Sequence, residues 1–188
     1  MDFVELLEKR RSVRDFEDKE VPFEVIEEIV NDAIKAPNAG NMQLWRFVVV
    51  NNKEWLKKIS DANKKGFLAD LDSNPNSPWK SYEAQFRNED FNMFFNAPAL
   101  IYIVGTAKMQ TIVQDCSLVG AYFMLSATAR GLGTCWVAQG GFIEDKEILA
   151  ELAIPENYKI VAPIIIGYPK QVPPMPTRKE PKFLKVIA

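Results

Sequence analysis

The stretch that most constrains the fold is CSLVGAYFMLSATA, residues 116–129, which follows Asp115 and contains no charged residue. The pattern predicts a helix over residues 112–130, which Gly131 and Gly133 then end. A helix with no solvated face that is too short for a membrane is buried on every side. A chain of 188 residues has difficulty covering such a helix, so the stretch predicts an extensive homodimer interface. A central helix covered by the chain's own layers is the alternative.

Strands and helices alternate along the rest of the chain. The run FVVV within residues 45–51 predicts a strand buried on both faces. No linker or internal repeat divides the sequence, so the pattern predicts one α/β or α+β domain over residues 1–188. Further helices are predicted at the N-terminus and over residues 22–35, 53–64 and 144–152, and further strands over residues 98–105, 134–138 and 160–167.

Two segments break this alternation. Residues 66–93 are predicted to be irregular, because prolines and asparagines crowd residues 74–78, yet they are rich in aromatic side chains. Such a segment is either a lid or pocket wall, or a helical insert whose aromatic residues pack together. From about residue 168 onward, five prolines predict an extended C-terminal arm. Its apolar end at residues 183–187 needs a surface, and we expect the arm to cross to the partner subunit.

Composition excludes several classes of partner. Because 23 basic residues nearly balance 25 acidic ones, no overall field draws the chain to nucleic acid. No apolar run reaches the roughly 18 residues that span a bilayer, and the first residues do not resemble an export signal. Cys116 and Cys135 lie among apolar residues, which favours buried thiols over a disulfide. We therefore expect a cytoplasmic protein with no membrane or nucleic-acid partner.

The chain contains no histidine. This absence excludes Ser-His-Asp and Cys-His nucleophile systems, and most zinc sites. Two cysteines are too few for an iron–sulfur cluster within one chain, and no GxxxxGK[ST] phosphate loop occurs. If the protein is an enzyme, a bound organic cofactor is expected to carry its chemistry.

A basic cluster, Arg10-Arg11-Ser12-Val13-Arg14, follows the first helix. Three guanidinium groups and a hydroxyl suit a phosphate monoester, which accepts several charge-assisted hydrogen bonds. An ordinary solvated turn is the alternative, and a nucleic-acid contact is the less favoured one, because no basic stripe continues elsewhere. Arg178, inside the proline-rich arm, is a further basic residue that can complete an anion site.

Two further segments flank strands. Asn38, Asn41 and Gln43 precede the first strand, and their amides offer both a donor and an acceptor, as the pyrimidine edge of a flavin does. The segment VAQGGF, residues 137–142, follows a strand, and its paired glycines let the backbone approach a flat ligand. For both segments, plain turn chemistry is the alternative.

Together, these motifs resemble the nitroreductase family. The matching elements are RRSVRDF (residues 10–16), APNAGNMQLWRFVVV (36–50), GLGTCWV (131–137) and IIIGYPKQVPPMPTRKEP (164–181). Each motif is common by itself, but the ordered set covers nearly the whole chain outside residues 66–93. The resemblance implies an α+β fold, an α/β/α sandwich around a mixed, mostly antiparallel sheet. It also implies an intertwined homodimer with FMN at the subunit interface.

The resemblance also implies roles for individual residues. Carried over by position, the residues that would hold the phosphate, the ribityl chain and the pyrimidine side of FMN are Arg10, Arg11, Ser12 and Arg14, with Arg178 at the phosphate. The residues that would meet the flavin from the neighbouring subunit are Asn38, Asn41 and Gln43. The backbone of Gln139, Gly140 and Gly141 would face the ring.

The implied activity is electron transfer from NAD(P)H to an electron-poor organic acceptor, such as a nitroaromatic or quinone, by a ping-pong mechanism. No catalytic side chain is required, although Arg14 is a candidate for electrostatic stabilisation of the reduced flavin. The alternatives are a relative with other flavin chemistry, such as dehalogenation or dehydrogenation, and a non-catalytic flavin-binding protein. The sequence departs from many members at Leu44, where proline is common, and no motif distinguishes NADH from NADPH.

Overall fold

The centre of the molecule is a four-stranded sheet, and the computed structural model describes residues 1–187. The strands lie in the order β1-β2-β4-β3, and each neighbouring pair is antiparallel. A mixed sheet was expected. Among the described residues, the parallel pairing is limited to one isolated bridge between Ser12 and Thr134. The strands are β1 (Trp45–Val50), β2 (Ala99–Thr106), β3 (Gly133–Trp136) and β4 (Tyr158–Gly167).

Helices cover both faces of this sheet. Along β2, Ile101 and Ile103 point to one face and pack with α2 and α5, whereas Leu100 and Tyr102 point to the other and pack with α3 and α6. This arrangement confirms the predicted α/β/α sandwich. The helices are α1 (Phe3–Lys9), α2 (Phe23–Ala33), α3 (Lys53–Ser73), α4 (Glu83–Arg87), α5 (Ile112–Ala129) and α6 (Lys146–Glu151).

Helix α5 is buried on one side and exposed on the other. Val119 and Phe123 are fully buried against the sheet and α2, but Leu118 is 40% exposed and Tyr122 is 41% exposed. The alternative in which the chain's own layers cover this helix is therefore wrong. The expectation that this helix is too short for a membrane is wrong, because its 18 residues have the length and hydropathy of a membrane-spanning helix, a test that core helices of globular proteins pass as well. The homodimer predicted from its sequence stays a prediction.

Several predicted elements differ in the structure, and three of the differences have a clear physical reason. Strand β1 is only half-buried rather than buried on both faces, because it is an edge strand whose Arg46 is exposed. Helix α3 does not end at residue 64 but continues to Ser73, because Phe67 and the neighbouring leucines pack in a small apolar cluster with residues that follow the helix. Strand β3 ends at Trp136 rather than at residue 138, since the chain there enters a 3-10 turn, Ala138–Gly141.

The segment expected to be irregular is a small helical insert with its own core. Phe67, Phe86 and Met93 are buried in it, and Phe67 stacks on Phe86 with ring centroids 4.9 Å apart. The C-terminal arm, in contrast, has no helix or strand over residues 170–187. Its apolar end at residues 183–187 is exposed, so its crossing to a partner also stays a prediction.

Candidate functional site

The basic segment of residues 10–14 is fixed against β3. A capping box between Asp2 and Glu5 starts α1, and after the helix the amide of Val13 donates to the carbonyl of Thr134 at 2.9 Å. The close approach requires glycine at position 133, because a Cβ there would lie 2.8 Å from the side chain of Val13. The arginines are thus attached to the sheet rather than placed on a free surface turn.

The guanidinium groups of this segment lack acidic partners in the part of the chain that the structure describes. Among residues 1–187, no carboxylate lies within 4.0 Å of a guanidinium nitrogen of Arg10, Arg11 or Arg14. Arg11 donates to the carbonyl of Arg10 at 2.7 Å, and Arg14 lies 5.7 Å from the ring centroid of Phe95. Three positive charges within five residues, without a carboxylate partner among residues 1–187, favour an anion. Arg11 and Arg14 line different cavities, so the three charges do not all face one cavity.

Two buried polar atoms beside this cluster lack hydrogen-bond partners among the described residues: Nε of Arg11 and Oγ1 of Thr134. Unpaired buried polar atoms are rare in folded proteins and point to a missing ligand or water. Arg11 belongs to the predicted phosphate-binding segment, whereas Thr134, which lies opposite Ser12 in the isolated bridge, was not predicted to be a site residue. This donor set suits a phosphorylated cofactor such as FMN.

The turn at residues 138–141 faces a cavity of about 330 Å³ that also reaches Arg14. The sequence placed Arg14 and Gln139 in one site, and the structure brings both to this cavity. The helical insert forms the opposite wall with aromatic side chains, so it is both a packed insert and a pocket wall. The remaining lining residues are Tyr82, Gln85, Phe86, Phe91, Met93, Phe95, Cys135, Trp136 and Val137.

Cys135 is buried at this cavity, and Cys116 is buried on the other side of the sheet, so both are the free thiols that were expected. Burial raises the pKa of the Cys116 thiol to about 12, with the charge of Asp115 adding to the effect. Burial also raises the pKa of Cys135, against the opposing influence of Arg14, Ser12 and Arg10. Both are therefore protonated and unreactive at neutral pH.

The three amides of the 38–43 segment bond mainly to one another. The side chain of Asn38 accepts from the amide of Gln43 at 3.0 Å, and the Gln43 side chain donates to Oδ1 of Asn41 at 3.1 Å. Asn41 and Gln43 have φ values of 54° and 50°, in the left-handed region that is costly for residues with a Cβ. Such strain is typical of a ligand site, although turn formation explains the bonds of Asn38.

These amides lie far from the arginines of the same chain. The amide of Ala39 donates to Asp115 at the start of α5, whereas Arg11 shares a cavity with Thr128 at the end of α5. A helix rises about 1.5 Å per residue, so the two places are roughly 20 Å apart along α5. The structure therefore does not bring Asn38, Asn41 and Gln43 to the arginine cluster of their own chain.

Arg178 is likewise not brought to the site. It lies in the exposed arm, three residues beyond Met175, where the arm last lines the cavity shared with Arg11.

Sequence reasoning also missed residues that contact the 138–141 turn from the interior of the protein. The hydroxyl of Tyr102 donates to the carbonyl of Gly140 at 2.9 Å, and Nδ2 of Asn63 lies 3.5 Å from the carbonyl oxygen of Gln139.

Comparison with known proteins shows the family to which the chain belongs. The model of the nitroreductase family matches residues 7–168, and the chain therefore belongs to the nitroreductase family. A relative from Archaeoglobus fulgidus, provisionally named NADH dehydrogenase/NAD(P)H nitroreductase, is 32% identical over 173 residues, covering 89% of this chain and 85% of the relative. Iodotyrosine deiodinase from Haliscomenobacter hydrossis is 27% identical over 199 residues, covering 99% of this chain and 88% of that protein.

Solved structures show the same fold. The crystal structure of a nitroreductase with bound FMN from Bacteroides fragilis matches with a TM-score of 0.83 and 24% identity, covering 100% of both chains. At this identity the likeness establishes the architecture, and it confirms the α+β fold expected from the sequence.

Proposed function

We propose that the protein is an FMN-dependent oxidoreductase that transfers electrons from NAD(P)H to an electron-poor organic acceptor, such as a nitroaromatic or a quinone. The observation that carries this proposal is a cluster of three arginines that is attached to β3 and has no carboxylate partner within residues 1–187, with Arg14 lining an aromatic-walled cavity of about 330 Å³. The FMN in the Bacteroides fragilis structure of the same fold supports the choice of cofactor.

The proposed binding roles follow from where the donors lie. Arg10 and Arg11 would pair with the phosphate, and Arg178 would join them when the arm packs against a partner subunit. Ser12 lies on the same segment, in the isolated bridge opposite Thr134, and its hydroxyl would bond the polar chain of the cofactor. Arg14, at the cavity itself, would hold the pyrimidine side and stabilise negative charge there.

A homodimer would complete the site. The exposed side of α5, with Leu118 and Tyr122, is an apolar surface of the kind that subunits bury. Since the amides of residues 38–43 lie roughly 20 Å along α5 from the arginine cluster, they would serve the partner's site rather than their own. Their strained backbone fits a role in ligand contact.

Bound FMN would supply the redox chemistry, taking two electrons and a proton as hydride from NAD(P)H and passing two electrons to the acceptor. The chain's own residues would bind and orient the ring and exclude water with the aromatic wall of the insert. A chain without histidine can do this, because no side chain needs to act as a nucleophile. The two protonated thiols also fit a reducing cytoplasm.

Initial-rate kinetics of the FMN-loaded protein test the proposal. Varying NADH or NADPH at several concentrations of a quinone or a nitroaromatic should give the parallel double-reciprocal lines of a ping-pong mechanism. Turnover of neither acceptor with either nucleotide would contradict the proposal. The second candidate is dehalogenation, which the deiodinase relative favours, and release of iodide from an iodotyrosine in place of quinone turnover would identify it.

A further inference from the structure

The insert is connected back to the sheet by a return segment, residues 89–95, which α3 holds through buried polar contacts. Lys64 of α3 is 7% exposed, and its ammonium group donates to the carbonyl of Phe91 at 2.9 Å and to that of Glu89 at 3.2 Å. Burying an ammonium group is unfavourable unless it is paired and hydrogen-bonded, and Asp61 supplies the counter-charge at 3.2 Å. Two carbonyls of the return segment are therefore fixed to α3.

A second contact and a strained backbone fix the rest of the return segment. Ser60, which lies one turn before Lys64 and is fully buried, accepts a hydrogen bond from the amide of Met93 at 2.9 Å. Phe95 and Asn96 then have φ values of 54° and 52°, in the left-handed region that is costly for residues with a Cβ. Because such strain persists only where the surrounding structure imposes it, the conformation of the segment depends on its contacts with α3.

The return segment forms part of the wall of the cavity that Arg14 lines. Phe91, Met93 and Phe95 all contribute to this wall, and the rings of Phe91 and Phe95 meet edge to face with their centroids 6.0 Å apart. Among the described residues that line the cavity, Arg14 is the one charged side chain. An aromatic wall binds a planar ring by stacking or by edge contact, whereas an ammonium group would have no carboxylate partner there.

We propose that Lys64 and Ser60 are positioning residues that hold this wall in place for the electron acceptor, and that the acceptor is a planar aromatic molecule without a cationic group, such as a naphthoquinone. The inference rests on the proposed function, because the acceptor must reach the cavity in which Arg14 would hold the flavin ring. Neither Lys64 nor Ser60 lines the cavity, so both act through the return segment. Loss of either contact should let the wall shift and weaken the stacking of the acceptor.

The first test is equilibrium binding of naphthoquinone to the oxidised, FMN-loaded protein, followed by the change in the flavin absorption spectrum. Oxidised flavin does not reduce a quinone, so this titration measures binding without turnover. We expect Lys64→Met and Ser60→Ala to weaken binding by roughly three- to tenfold. Lys65→Met, at an exposed position of the same helix, is the matched control and should leave it unchanged. An iodotyrosine, which carries an ammonium group, should bind the unmodified protein more weakly than the quinone.

The second test separates a shift of the wall from a general loss of structure. Reduced, FMN-loaded protein is mixed either with naphthoquinone, which takes two electrons and two protons, or with ferricyanide. Two ferricyanide ions take one electron each, the protons pass to the solvent, and the ion has no flat face to stack. At subsaturating concentrations the substitutions should slow the reaction with the quinone by roughly three- to tenfold and leave the reaction with ferricyanide unchanged.

Unchanged quinone affinity in the flavin-loaded variants, or equal slowing with both oxidants, would overturn the positioning role alone. Ser60→Ala carries the test by itself if Lys64→Met does not fold. An iodotyrosine that binds the unmodified protein as tightly as naphthoquinone would overturn the class of acceptor. Failure of the unmodified protein to take up FMN would overturn the proposed function and this inference together.

Discussion

Gly140 is part of the 138–141 turn and has no room for a side chain, so its replacement by alanine tests how tightly the turn is packed. A Cβ at this position would lie 2.6 Å from Cε1 of Phe94, which is fully buried. Carbon atoms in contact are about 3.5–4.0 Å apart, so the turn or the ring must move by roughly 1 Å. Overpacking of this kind costs about 1–3 kcal/mol.

The assay is thermal denaturation of the flavin-free protein. For a chain of this size, each kcal/mol lowers Tm by about 2–4 °C, so Gly140→Ala should melt a few degrees or more below the parent. Gly141→Ala is the matched control, because its Cβ would meet Ile160 at an ordinary 3.4 Å. Adding Phe94→Leu to Gly140→Ala should restore part of the loss. An unchanged Tm for Gly140→Ala, or no difference from the control, would refute the packing described for the turn.

Four other substitutions test separate parts of the structure. Lys64 is buried and donates to the carbonyls of Glu89 and Phe91, so Lys64→Met should lower the local stability of the insert by about 2 kcal/mol. Proteolysis of the insert should therefore be faster in Lys64→Met but not in Lys65→Met, since Lys65 is exposed. Hydrogen bonds from Lys35, Ser126 and Arg130 hold the pKa of Asp32 well below its ordinary value of 3.8. That stabilisation is present above about pH 4 and is lost as the pH falls through the folded pKa. Urea denaturation should therefore show a steeper acid loss for the parent than for Asp32→Asn, and equal slopes would contradict the assignment. Leu118→Glu should weaken the proposed dimer at least about tenfold in sedimentation equilibrium. Ala69→Glu, which adds the same charge at an exposed position of α3 on the other side of the sheet, should not, and an intact Leu118→Glu dimer would place the interface elsewhere. Arg14→Ala should weaken FMN binding roughly ten- to hundredfold and slow the reduction of bound FMN by NAD(P)H. The control is Arg46→Ala, which removes an arginine bonded to nearby backbone carbonyls. Unchanged affinity and rate in Arg14→Ala would exclude Arg14 from the site.

Local sequence patterns were sufficient to predict most of the framework. The apolar runs of β2 and β4 have the length of buried strands, and Asp2 with Glu5 forms the expected capping box. The length of α3 was missed because residues 64–73 mix lysines and aspartates with apolar residues, and the helix is stabilised there by the insert that packs on Phe67. Stabilisation of a helix by packing against another segment leaves no signal in the local sequence of the helix.

The site was predictable where chemistry depends on residue type, as in the arginine cluster. The site was not predictable where a buried residue makes a polar contact with the backbone of the site. Tyr102 stands in the apolar run ALIYIVGT, where an aromatic residue indicates packing, and Asn63 stands among lysines on a helix that looks solvated. They reach the carbonyls of Gln139 and Gly140 only because α3 and β2 pack against the distant 138–141 turn.

The most direct test of the central claim is the visible absorption spectrum of the purified protein, recorded before and after anaerobic addition of NADH or NADPH. The account predicts a yellow protein, or one that becomes yellow on adding FMN, whose flavin bands bleach when the nicotinamide is added. A colourless protein that takes up no added FMN would contradict the cofactor assignment, and with it the roles given to the arginine cluster and the turn.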